Sequence, residues 1–270
     1  MVDFIGIGSG KSGSSWLWEN IVKHPEVSSG NAKEINYFST LYHKKSIQWY
    51  IKQFEPNNLI KGEFSVTYLD DLQSAERIRA YSSGIKILCI LRNPTQRVIS
   101  DYYHSIRKGT IDKRTSLRDY ISVGENLAFG EYSIKIQQYL KYFKPEQILV
   151  LEMESSLKNP EEVMQKVYSF LGLKNVSYVP DTLRREVNKG FIPKIALVEN
   201  LITSISQRLT KSGALRLLEF LKSLNIHHFI RKHNSNFKMP LPSKKDLDYL
   251  NSYFENERAY FRREYGFRGW

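Results

Sequence analysis

Cysteine is nearly absent from this 270-residue chain: Cys89 stands alone, so no internal disulfide can brace the fold. It lies inside the apolar run 85–91, which assigns it to the core as a small hydrophobe rather than to catalysis. No stretch approaches the roughly eighteen apolar residues of a membrane span, and no basic, apolar and small-residue pattern opens the chain. A reducing, cytoplasmic setting is the expectation. Acidic residues are short, 28 against 40 Lys and Arg, giving a net charge of +12 and a pI near 9.5. The excess is concentrated from residue 184 onward, where seventeen basic residues meet eight acidic ones. An anionic partner follows, but a polyphosphorylated nucleotide, an acidic polysaccharide, a membrane surface and nucleic acid all satisfy it. Disorder is excluded by 41% hydrophobic residues with 13% aromatics. Neither an internal repeat nor a low-complexity tract is present, and the length suits one good core.

What is present is concentrated at the start. Phe4-Ile5-Gly6-Ile7 reads as a buried strand, Gly8-Ser9-Gly10-Lys11-Ser12-Gly13 as a turn, and Ser14-Ser15-Trp16-Leu17-Trp18 as the opening of a helix. The glycines let backbone approach an anion, the helix start offers free N–H groups, and Lys11 adds a full charge. The NTPase phosphate loop requires glycine five positions before Gly10-Lys11-Ser12, and that position is Ile5. An NTPase also needs a carboxylate for Mg²⁺ at a neighbouring strand end. The run 85–91 instead ends in Arg92-Asn93-Pro94. A helix beginning at Pro94 then carries Ser100, and an arginine fork with a serine hydroxyl is good chemistry for a phosphate monoester.

Lys11-Ser12-Gly13-Ser14-Ser15-Trp16-Leu17 resembles the 5'-phosphosulfate loop of sulfotransferases that use 3'-phosphoadenosine 5'-phosphosulfate (PAPS), and Arg92 with Ser100 is similar to their 3'-phosphate motif. Lys33-Glu34-Ile35-Asn36-Tyr37-Phe38 looks like the segment that carries the catalytic glutamate in the glycosaminoglycan-type members. Lys189-Gly190 matches a loop that closes over the donor. Gly62-Glu63-Phe64-Ser65 resembles a further family stretch, in which Phe64 replaces a lysine found in some carbohydrate members. The carboxyl end, 266–270, is also family-like.

The resemblance implies a P-loop-like three-layer α/β fold: a central parallel sheet of four to five strands flanked by helices, with a C-terminal helical region. One domain would span 1–270; its residues 195–237 read as amphipathic helices packed on the sheet, with a helical cap or insertion, a dimer face or a peripheral membrane contact as the alternatives. It implies in-line transfer of a sulfuryl group from PAPS, leaving 3'-phosphoadenosine 5'-phosphate (PAP), to a hydroxyl or amine of a saccharide or glycolipid. Glu34 would be the base, with Glu63 next in line, and Lys11 would stabilise the leaving group. Lys11, Ser12, Gly13, Ser14, Ser15, Trp16, Arg92, Ser100, Lys189 and Gly190 would bind the donor, without a metal and without nucleic acid as partner. A P-loop nucleotide kinase or NTPase and a basic polyanion binder remain the alternatives. Core packing suits Tyr132 as well as a place near adenine, while Arg97 reads as solvated. Trp49, Tyr50 and Phe54 are expected to pack inward from a helix, and one last helix is expected over 244–264.

Overall fold

The computed structural model describes residues 1–184 and 241–270, with isolated positions between 204 and 214. Lys189, Gly190 and nearly all of the segment 195–237 lie outside the described residues. The chain divides into two compact units, one of residues 1–93, 132–188 and 260–270, the other of 94–131 and 189–259.

The first unit is built on five parallel strands: β1 (Phe4–Gly8), β2 (Val27–Ser29), β3 (Ile60–Phe64), β4 (Lys86–Leu91) and β5 (Ile148–Glu152), in the order β2-β3-β1-β4-β5. Every residue of β1 is buried, as a central strand covered on both faces must be. On one face Phe4, Phe64, Leu88, Ile90, Leu149 and Leu151 meet Leu17 and Ile21 of α1 (Ser14–Val22). Val167, Tyr168 and Leu171 of α9 (Pro160–Leu171) complete that layer. Residues alternating with these, Ile5, Ile7, Ile87 and Cys89, point to the opposite face and are fully buried there. Proline opens α9, where its missing N–H costs nothing, and Gly172 closes it at φ 83°.

Strands β2 and β3 were not expected from the sequence. The reason for β3 is visible in its pairing: Phe4 lies opposite Gly62 and Gly6 opposite Phe64. A Cβ on Gly62 would meet the Phe4 ring at 2.2 Å, and one on Gly6 would meet Phe64 at 2.1 Å. Each aromatic ring covers the glycine across from it, so two strand-weakening residues become the packing surface for two phenyl rings.

Around the sheet stand α2 (Ile47–Ile51), α3 (Ser74–Tyr81), α7 (Tyr132–Leu140) and α8 (Met153–Lys158). The helix at 47–51 is shorter than its pattern suggests. Tyr50 and Phe54 are buried, but Trp49 is half-exposed under Lys45.

In the second unit α4 (Pro94–Lys108), α5 (Leu117–Ser122), α6 (Glu125–Ala128) and α10 (Lys244–Tyr253) pack through Val98, Tyr102, Tyr120, Leu127, Leu250 and Phe254. Arg97 is not solvated: it is 5% exposed, paired with Asp101 and stacked on Phe129. The expected last helix is two, α10 and α11 (Glu255–Tyr265), broken at the buried Phe254.

Candidate functional site

Sequence order and strand order place the site. From β1 the chain goes out to β2 at one edge, returns to β3 beside β1, and then crosses to β4 and β5 on the other side, so β1 ends at the reversal of strand order, where α/β sheets bind ligands. The glycine- and serine-rich loop leaves β1 at that point. Lys11 sits at φ 66° and Gly13 at φ 84°, which folds the loop back toward the start of α1. Ser9 and Ser12 bond each other at 2.5 Å, and the Ser9 N–H is held by the Ile90 carbonyl at 2.8 Å. These bonds fix the loop from within. Gly13, as N-cap of α1, supplies no side chain to the first N–H groups, and no acidic residue stands in the first turn. A helix start of this kind attracts an anion.

The side chains behind the loop are structural. Trp16 is 4% exposed, and its indole N–H donates to the Leu183 carbonyl at 3.0 Å. Thr182 donates to Asn20 at 2.9 Å, and Tyr168 to the Asn20 carbonyl at 3.0 Å. What Trp16 can offer an anion is its backbone N–H.

The segment 31–36 runs beside this loop. Lys33 Nζ donates to the hydroxyls of Ser14 and Ser15 at 3.1 and 3.2 Å. The same ammonium is 3.5 Å from Glu34 Oε1 and 5.5 Å from the centre of the Phe64 ring. Glu34 therefore stands beside the anion loop, joined to it by its sequence neighbour. The sequence marked Lys33 as part of the family-like Lys33-Glu34 segment but gave a role only to Glu34.

Glu63 is a different kind of group. It is fully buried, and its carboxylate accepts from the Ile35 N–H at 3.1 Å, Tyr50 at 3.0 Å, Ser65 at 2.5 Å and Tyr68 at 2.7 Å. Burial pushes its pKa up to about 7, against the pull of those four donors. With both oxygens occupied and no exposed surface, it cannot take a proton from an acceptor. As next in line for the base it is set aside by its geometry. Its part is structural: it holds Ile35, while Ser65 holds the Asn36 N–H at 2.9 Å and the Phe64 N–H donates to the Lys33 carbonyl at 2.9 Å.

Arg92 follows β4 directly, as expected, and its guanidinium lies 3.5 Å from the Lys11 carbonyl. Burial lowers its pKa and the Glu154 carboxylate opposes that shift. Glu154 also accepts from the Asn93 N–H at 2.9 Å and the Trp270 indole at 3.0 Å. Glu152 accepts from the Gly269 N–H at 2.6 Å. The carboxyl-terminal residues are thus bound at the exit of β5, a partnership that short motifs could not reveal. Ser100 lies on α4 of the second unit, half-buried.

Among the described residues no group of three His, Cys, Asp or Glu is arranged to hold a metal, and no helix is long and apolar enough to cross a membrane. Known proteins resemble this arrangement. A family model described as "Sulfotransferase domain" matches residues 2–195. The human bifunctional heparan sulfate N-deacetylase/N-sulfotransferase 1 is 29% identical over 207 residues, 68% of this chain and 24% of its own length. The membrane-associated sulfotransferase kil1 of Dictyostelium discoideum is 34% identical over 110 residues, 39% of this chain and 23% of its own. This chain thus spans about a quarter of the length of these relatives. The crystal structure of a sulfotransferase from Alicyclobacillus acidocaldarius superposes with a TM-score of 0.62 at 26% identity, covering 80% of this chain and 96% of that one. The five-stranded parallel sheet flanked by helices is the fold this chain shares with that structure.

Proposed function

This chain belongs to the sulfotransferase family, and from that premise we propose that it moves a sulfuryl group from PAPS to an amine or hydroxyl of a saccharide acceptor. The observation that carries the reading is the contact of Lys33 with both the first-turn hydroxyls of α1 and Glu34, which puts a carboxylate beside an anion-binding helix start.

In this reading Glu34 removes the proton from the acceptor nitrogen or oxygen as that atom bonds to sulfur. The bond from sulfur to the bridging oxygen breaks, and its electron pair leaves with PAP. Lys11 and the N–H groups of Gly13 to Trp16 stabilise the charge growing on the 5'-phosphate. Arg92, already beside the loop, binds the 3'-phosphate together with Ser100 and the Lys189-Gly190 segment. Protein cations thereby meet the charge that Mg²⁺ meets in kinases. The saccharide acceptor is supported by the heparan sulfate relatives, and an amine is the first acceptor to try because their name specifies N-sulfation.

The test is titration calorimetry of the protein with PAP and, separately, with Mg-ATP, followed by incubation with radiolabelled PAPS and N-deacetylated heparosan. One-to-one binding of PAP without added metal, with label entering the polysaccharide, is the expected result. Preference for Mg-ATP would return the first loop to the nucleotide kinases.

A further inference from the structure

We propose that Lys33 is a second cation of the transfer step, holding Glu34 to the donor loop and facing the sulfuryl group as it moves. The inference rests on the donor site proposed above and gives a part in the chemistry to a residue that the reading used only for its contacts.

The position of Lys33 is built rather than incidental. Its carbonyl is fixed by the Phe64 N–H, and the next two residues are tied by Glu63 and Ser65. Its side chain is 18% exposed, its ammonium lying over the Phe64 ring while donating to two hydroxyls at ordinary hydrogen-bond length. A solvated surface lysine next to a glutamate would make none of these contacts.

The chemistry follows from donor and acceptor counting. An ammonium has three hydrogens and no lone pair. Two go to Ser14 and Ser15, and the hydroxyls that accept them each retain a hydrogen to donate. Those serines open α1, where the helix start already favours an anion. Lys33 therefore leaves the hydroxyls free to donate to the bound group and adds a charge of its own. On its other side it holds the carboxylate of Glu34 at 3.5 Å. Placed between a proton acceptor and an anion cradle, a cation stabilises the transferring oxygens most when their charge is redistributed, so its effect falls on turnover more than on donor binding.

The experiment uses Lys33→Ala and Lys33→Arg in the full chain. PAP affinity is measured by calorimetry, and turnover as PAP released from PAPS in the presence of N-deacetylated heparosan. Should that polymer not accept the group, PAPS hydrolysis to PAP and sulfate, with water as acceptor, gives the turnover. The expected result for Lys33→Ala is PAP affinity within about threefold of wild type and turnover lower by about 100-fold. Lys33→Arg recovers to within about tenfold, and ethylammonium restores the alanine variant saturably, because either one replaces the missing charge. Lys33→Met keeps the stem over Phe64 and carries the same rate criterion if the alanine variant melts early.

Turnover within about threefold of wild type in the alanine or methionine variant would overturn the proposal. So would a loss that arginine and ethylammonium both leave unrepaired, the signature of lost packing rather than lost charge. Failure of the wild-type protein to bind PAP would remove the donor site and Lys33's role with it. Tight PAP binding with an indifferent Lys33 would leave the donor site standing and reject this residue alone.

Discussion

Glu34 precedes the residue whose N–H Glu63 holds, yet the two carboxylates live under opposite conditions. Glu34 has 37% of its side chain exposed and one lysine beside it. Glu63 has no exposure and four donors. An acid that must meet a substrate needs an accessible lone pair; an acid that must hold a fold needs every lone pair occupied. The inner carboxylate holds the backbone of Ile35, and Ser65, itself bonded to that carboxylate, holds Asn36, so that the outer carboxylate stands at the loop. In the proposed reading, two neighbouring segments thus divide positioning from chemistry between two identical side chains.

The largest effect that could break this division comes from Glu34→Gln. Loss of the base is expected to lower sulfuryl transfer by about 1000-fold while PAP affinity stays within about threefold. Rate assays with radiolabelled PAPS beside calorimetry measure the two quantities on one preparation. Transfer at the wild-type rate would put the base elsewhere and leave Glu34 a mere partner of Lys33.

The same two residues mark how far the sequence could be read. The loop after β1 and Arg92 after β4 were legible because their chemistry is local: consecutive residues supply the turn, the helix start and the charge. Glu34 was legible only through the family resemblance. Glu63 was readable as a motif member but not as a buried node, because Tyr50, Tyr68 and Ile35 come to it from three different segments. Strand β3 was hidden for a related reason. A glycine and a glutamate in five residues weaken a strand pattern, and only the ring of Phe4 over Gly62 and the donors around Glu63 make them fit. Arg97 was misjudged since Asp101 and Phe129 draw a charged side chain inward. The break at Phe254 was missed because the charged pattern continues through it while the ring turns into the core of the second unit.

The second effect sharpens the comparison through pH. Glu63 titrates near 7 in the folded chain and near 4.5 when unfolded. Between those values the folded state holds a proton that the unfolded state has lost, so stability falls as pH rises. The contribution is fully present below about 4.5 and gone above about 7. Glu63→Gln, uncharged throughout, lacks this dependence. Between pH 5 and 8 the wild type should lose roughly 2 to 3 kcal/mol relative to the glutamine variant, read from urea unfolding at each pH. Parallel curves for the two proteins would mean that Glu63 is ionised across the range and that its four donors outweigh its burial.

The smallest effect tests whether the inner acid acts on the fold alone. Tyr50→Phe removes one donor, at 3.0 Å, and leaves a ring of the same shape among Tyr37, Phe38, Phe54 and Tyr81. The lost bond is worth about 1 kcal/mol, and more to the ionised carboxylate than to the neutral acid. Destabilisation should therefore be greater at pH 8 than at pH 5, while turnover at a temperature well below the melt stays within about twofold. The ordering follows from charge: at pH 5 Glu63 carries a proton and has less need of the phenol, whereas at pH 8 it is an anion in the core with one fewer donor. A turnover loss exceeding the stability loss would show the network reaching Glu34 through Ile35, and the division between the two carboxylates would be one of degree.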